Sequence, residues 1–167
     1  MKRNLLMCMF ICCLGLIATS CEKENGGDKK SENVITPIAM DEATRTEVVN
    51  LCNSLPIAGY GMNGGVNTNE ILIIDSQEKL AELAPAFADR INLNGNTLLI
   101  VPVELTSGSA WISGNQLMRS ETDNSLVWKV VTEYPSCQTC DIVVKFSYNI
   151  YPPITEPVSL QVVRINH

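Results

Sequence analysis

From Ser109 onward the chain is a succession of short apolar runs separated by turn-forming residues, and this rhythm confines it to strand and turn. Ala110 to Ser113 is one expected strand, turning at Gly114-Asn115, and Gln116 to Ser120 is the next, turning at Asp123-Asn124. Leu126 to Tyr134 is expected to pair back on it. In Asp141 to Tyr151, Val143, Lys145, Ser147 and Asn149 alternate with Val144, Phe146, Tyr148 and Ile150, as in an antiparallel strand with one wetter face. Pro152-Pro153 interrupts the pattern, and Val158 to Ile165 supplies the last strand.

Upstream the pattern changes. Glu70-Ile71-Leu72-Ile73-Ile74-Asp75 reads as a buried strand, and Ser76 stands where it can cap a helix burying Leu80, Leu83, Ala84 and Phe87, with Pro85 breaking or ending it. Thr97 to Leu105 is a strand in which Pro102 demands a bulge or an edge position. In Asp41 to Leu55, Val48, Leu51, Cys52 and Leu55 fall at helical spacing behind Asp41 or Thr44 as cap, with a strand near Val48 to Leu51 as the competitor. Gly59 to Asn69 is rich in glycine and asparagine and reads as a loop. The expected class is α+β: a mostly antiparallel, twisted sheet packed by one or two helices in a single domain spanning 34–167.

The first residues do not belong to that domain. Lys2 and Arg3, the apolar run from Leu5 to Ala18 and the small residues Ala18-Thr19-Ser20 form an export signal over 1–20. Its end resembles a lipoprotein signal, in which a small residue precedes a cysteine that receives diacylglycerol, and only Cys21 fits that place. Ala18 stands where such signals usually carry leucine, and the competing reading is an ordinary signal cut near Ala18 or Ser20. Residues 22–33 contain no apolar side chain and are expected to form, with the lipidated cysteine, a flexible tether over 21–33. The resemblance also implies an address. Glu22 replaces the aspartate that tends to retain lipoproteins at the inner membrane, which points to the outer membrane, on its periplasmic face or at the cell surface.

A second resemblance rests on the order of elements. The helix opening Ser76-Gln77-Glu78-Lys79-Leu80, then Ile91-Asn92-Leu93 before Leu98-Leu99-Ile100-Val101, and the hairpins leading to a valine-rich last strand are together similar to the C-terminal domain of the PrcB family. That family is associated with stabilising a surface protease. Asn92-Leu93 stands where the family usually has Asp-Phe, and the resemblance implies a fold rather than any catalytic residue.

Charge and side-chain inventory then exclude several chemistries. The net charge is −6, and removal of Lys2 and Arg3 with the signal leaves 10 − 18 = −8. Phosphate backbones need a basic stripe, so nucleic acid is not an expected partner. His167 is the sole histidine and the last residue, expected to be frayed and therefore unable to serve a nucleophile as base. No phosphate loop, dinucleotide fingerprint or calcium loop is present, so neither a catalytic set, a metal nor a cofactor is expected.

Three cysteines remain in the domain, Cys52, Cys137 and Cys140, enough for one disulfide and one free thiol. Cys137-Gln138-Thr139-Cys140 could close on itself, or Cys52 could reach either. Redox activity would require a helix at Cys137 to stabilise its thiolate. The motif instead leads into strand residues and is expected in a hairpin turn, with Asp141 alongside tending to raise a thiol pKa. Glu104, Glu121, Glu133 and Asp141 could line one face as paired acids, although solvated strand edges account for them better. Trp111 and Trp128 could form a platform for a sugar or partner if exposed together, or fill the core if buried. The expected function is a non-enzymatic binding or protein-interaction module, joined to the membrane by its lipid anchor and meeting an envelope protein or polymer. A thiol-redox protein using Cys137 and Cys140 and a glycan-binding surface are the alternatives.

Overall fold

The structure is a computed structural model, and it describes residues 32–58, 65–120 and 123–167. The residues expected to form the export signal, Cys21, all but the last two positions of the expected tether, the first part of the expected glycine-rich loop (59–64) and Glu121 lie outside the described residues. The elements are β1 (Glu32–Ile35), α1 (Glu42–Ser54), β2 (Leu72–Ile74), α2 (Gln77–Leu83), β3 (Thr97–Leu105), β4 (Trp111–Ser120), β5 (Leu126–Tyr134), β6 (Val143–Tyr151) and β7 (Val158–Asn166).

The strands form two sheets, not one. Their orders are β1-β4-β5-β7 and β2-β3-β6, and every pairing is antiparallel except β5 with β7. With the helices, the result is α+β in three layers. Leu98 and Ile100 of β3 join Val48, Leu51, Leu80 and Ile150 in one core under the helices. Leu99, Val101, Val103 and Leu105 join Leu117, Leu126, Trp128, Val130 and Tyr151 in a second core between the sheets. Burial of both faces explains why β3 is an unbroken apolar run rather than an alternating one. Pro102 fits because its carbonyl turns away from β6 and accepts from Asn69 N at 2.7 Å. Its missing N–H would have pointed the same way, past the short β2, so no ladder bond is lost.

Local chemistry sets the helix ends. Asp41 accepts from Thr44 N at 2.7 Å and opens α1, whose buried face is Val48, Leu51 and Cys52; the strand alternative is overturned. Ser76 accepts from Lys79 N at 3.1 Å and opens α2, and Pro85 begins a 3-10 turn, Pro85–Phe87. The Gln77 side chain then donates to Ile91 O at 2.9 Å and accepts from Leu93 N at 3.2 Å, pinning the irregular path into β3.

Several expectations need correction. Gly114-Asn115 is not a turn: β4 runs straight through it, with a register shift between Ile112 and Gly114, because an inserted residue can be absorbed as a bulge without breaking the ladder. Cys137 to Cys140 is not in a hairpin, since β5 and β6 belong to different sheets and the segment carries the chain across the sandwich. Nor does β6 have a wetter face. Asn115 of β4 donates to Ser147 Oγ at 2.8 Å and accepts from Asn149, so these polar side chains of β6 are satisfied across the space between the sheets. Finally, the ladder begins at Glu32, opposite Ser120, two positions into the stretch composition assigned to the tether.

Two stability tests follow from this fold. Gly65 has φ +136°, and a Cβ there would stand 2.6 Å from Pro56 O, where the chain crosses itself through Val66 N to Pro56 O at 2.8 Å. Gly65→Ala should cost roughly 1–3 kcal/mol in a urea titration, with no change in the slope of the transition. Separately, Arg119 Nη1 lies 2.6 Å from Glu156 Oε1 and holds that carboxyl near a pKa of about 2, below its usual 4.5. Depression of the folded-state value means that this stabilisation is complete above pH 4.5 and fades as the pH falls toward 2. Glu156→Gln should flatten the acid limb of the stability profile in that window and leave stability near neutrality pH-independent by comparison.

Candidate functional site

In the four-stranded sheet, β5 turns Leu126, Trp128, Val130, Thr132 and Tyr134 inward, so Val127, Lys129, Val131 and Glu133 face out. No layer of described residues covers that outer face. At one end, pairing sets Trp111 of β4, Glu133 of β5 and Ile165 of β7 abreast. Trp111 and Ile165 are each 40% exposed.

His167 completes the cluster. Its backbone N donates to Tyr134 O at 3.0 Å, its Nε2 lies 3.1 Å from Glu133 Oε2, and its ring lies 3° from parallel to the Trp111 indole, with centroids 6.4 Å apart. This differs from the expectation of a frayed histidine: the β5–β7 ladder runs to Asn166, and the bonds to Tyr134 and Glu133 place the residue that follows. Sequence position gave no hint of this; it required knowing that β7 runs parallel beside β5. The positioned imidazole still has no nucleophile to serve: among the described residues, no serine, threonine or cysteine side chain hydrogen-bonds to it.

The two tryptophans do not share a surface. Trp128 is 0% exposed and lies between the sheets, so the joint platform is not formed and Trp111 stands without it. Two residues along β4 from Trp111, the bulge opens a furrow of about 270 Å³, lined by Ser113, Gln116, Lys129 and Val131 among others. A separate cleft of about 500 Å³ lies where Leu55, Val66, Leu72 and Leu83 meet Asn67 and Glu70.

The carboxylates do not converge either. Glu104 lies on the helix-side face of β3 by alternation with Leu98 and Ile100, whereas Glu133 faces out from the opposite sheet. The core between them prevents their acting on one bond. Asp141 accepts from Gly108 N at 3.1 Å, and hydrogen bonds from Thr139 and then Gly108 hold its carboxyl below the usual range. Among the described residues no group of three or more His, Cys, Asp or Glu side chains could hold a metal ion.

Cys52, Cys137 and Cys140 are all free thiols in the structure. Cys52 is buried beneath α1, and burial pushes its thiol up to about 12. Cys137 and Cys140 are exposed, on a segment with no helix to stabilise a thiolate. Thr139 between them is fastened to the β3–β4 turn: its N donates to Ser107 Oγ at 3.0 Å, and Ser107 and Ser109 Oγ lie 2.8 Å apart. Sequence reading missed this hydroxyl network, which joins residues some thirty positions apart. Alkylation of the folded chain at pH 8 should label Cys137 and Cys140 while Cys52 stays unmodified until denaturant is added. Rapid labelling of Cys52 under native conditions would contradict its burial.

No helix among the described residues is long and apolar enough to cross a membrane. No protein-family model, curated protein or solved structure matches this chain.

Proposed function

We propose that this chain is an outer-membrane lipoprotein, anchored through Cys21, whose domain is a non-enzymatic binding module that meets an envelope partner through the open face around Trp111. The observation that carries the reading is the state of that indole. It is a large apolar surface left in solvent, yet it is held in place by the parallel His167 ring, which Glu133 in turn fixes. A pre-positioned aromatic loses little rotamer entropy on binding, which suits it to anchor a contact. The hydrophilic stretch over 22–31, ahead of β1, would hold the face clear of the bilayer.

A glycan is the second reading, favoured by the furrow beside Trp111. Ser113, Gln116 and Lys129 offer hydrogen-bonding groups next to an exposed ring, the combination a sugar requires. The thiol-redox alternative has less support, since neither exposed cysteine opens a helix.

Trp111→Ala should abolish capture of the partner from intact envelopes by the lipidated chain while leaving the buried emission of Trp128 unchanged. Capture that survives the substitution would remove the Trp111 face from the account. Adding defined envelope polysaccharide in place of protein, and following Trp111 emission, separates the two readings. The anchor is tested separately: labelled palmitate should enter the mature protein, and Cys21→Ser should release it from membranes.

A further inference from the structure

The four-stranded sheet ends in β7, and a single charge, Arg164, is the one feature along that strand that opposes edge pairing. His167 N donates to Tyr134 O, and Thr132 Oγ1 donates to Val163 O at 3.2 Å, so the odd-numbered residues of β7 turn their backbone groups toward β5. The N–H and C=O groups of Val158, Leu160, Val162, Arg164 and Asn166 therefore face away from the sheet. Among the described residues, no backbone hydrogen bond reaches them from that side.

Edges usually carry protection, such as shortness, a bulge, proline, charge or a covering segment. The other edges of this fold have some: β1 and β2 span 4 and 3 residues, β4 is bulged beyond β1, and β6 is met at Ile150 O by Ile38 N and carries Lys145. Strand β7 is 9 residues of Val-Ser-Leu-Gln-Val-Val-Arg-Ile-Asn, without proline, bulge or acidic residue. Val162 on its inner row is 41% exposed, because the second sheet does not reach under it.

The geometry points to pairing of this edge, antiparallel, with the β7 edge of a second copy of this chain, giving one continuous sheet across a twofold axis close to Val162. This inference is independent of the reading of the Trp111 face. Self-pairing is favoured by three features. Both edges present backbone groups from even-numbered residues, so each donor meets an acceptor when even faces even. On the inner row the twofold lays Val162 against Val162 of the other copy, covering a side chain that is 41% exposed in the single chain. Charge also fits: the chain carries −6, but β7 has only the cation Arg164, so the copies meet where the acidic surplus is absent. With the axis at Val162, Arg164 lies opposite Leu160 of the other copy, and the two guanidinium-bearing positions are separated by about 13 Å at about 3.3 Å per residue. That exceeds the screening length of roughly 8 Å at physiological salt. Registers that oppose the two arginines are disfavoured by repulsion.

A contact between two single strands is smaller than the roughly 1,200 Å² of a stable interface, so the dimer is concentration-dependent. Sedimentation of the full chain in mild detergent, from low to high micromolar concentration, should show the protein mass rising toward twice the monomer value. In hydrogen exchange, the amides of Leu160, Val162 and Arg164 should slow with concentration, while those of Val163 and Ile165 stay protected throughout. Val162→Lys should weaken dimerisation by about tenfold or more, equivalent to about 1.4 kcal/mol. Val162→Pro, which removes only an outward N–H, should do the same. The buried emission of Trp128 reports that each variant is folded. A chain that remains monomeric at high micromolar concentration with fast exchange at the even positions overturns the inference, as does a dimer untouched by both substitutions in folded protein.

Discussion

The double-sided burial of β3 is the constraint on which the other layers depend. One nine-residue strand presents Leu98 and Ile100 to the helices and Leu99, Val101, Val103 and Leu105 to the facing sheet. Each of these side chains is worth about 1.5–3 kcal/mol when withdrawn from water, and the strand contributes to both cores at once. Neither the helix layer nor the four-stranded sheet has another comparable surface to pack against. A polar substitution on either row would therefore expose one core without directly touching the other.

Much of this was legible in the sequence, for reasons that can be named. Thr97 to Leu105 reads as a strand because an apolar run bounded by Asn94-Gly95-Asn96 has no helical alternative of that composition, and its bounds were exact. Both helix starts were legible because Asp41 and Ser76 cap through contacts only three residues away. What failed was everything that depended on layer order. The alternation in β6 was read as a wet face because polar side chains ordinarily seek water; here Asn115 supplied the partner, 32 residues upstream of Ser147. The CxxC segment was read as a hairpin because adjacent strands usually pair, and only the assignment of β5 and β6 to separate sheets shows otherwise.

The candidate site was less legible than the fold. Trp111 and Trp128 have the same composition-level meaning, and nothing local separates them. Their fates follow from strand parity: Trp128 shares the inward row of Leu126 and Val130, whereas Trp111 pairs with outward-facing Glu133. The position of His167 in the sequence suggests fraying, yet its N–H extends the β5–β7 bonding by one residue, to Tyr134 O. The hydroxyl network around Ser107 and Thr139 similarly unites two connections that are distant in sequence but share one end of the sandwich.

The parallel pairing of β5 with β7 has a kinetic consequence. The chain between them must leave its sheet, complete β6 against β3, and return before the nine-residue ladder can close. The last strand thus arrives only after a long excursion whose closure entropy is repaid late, a topology associated with slow, non-local assembly. During synthesis β4 and β5 can form their hairpin as soon as they emerge, but one side of β5 stays unpaired until β7 appears. Until β7 closes that ladder, the free side of β5 is where the chain is most exposed to mispairing.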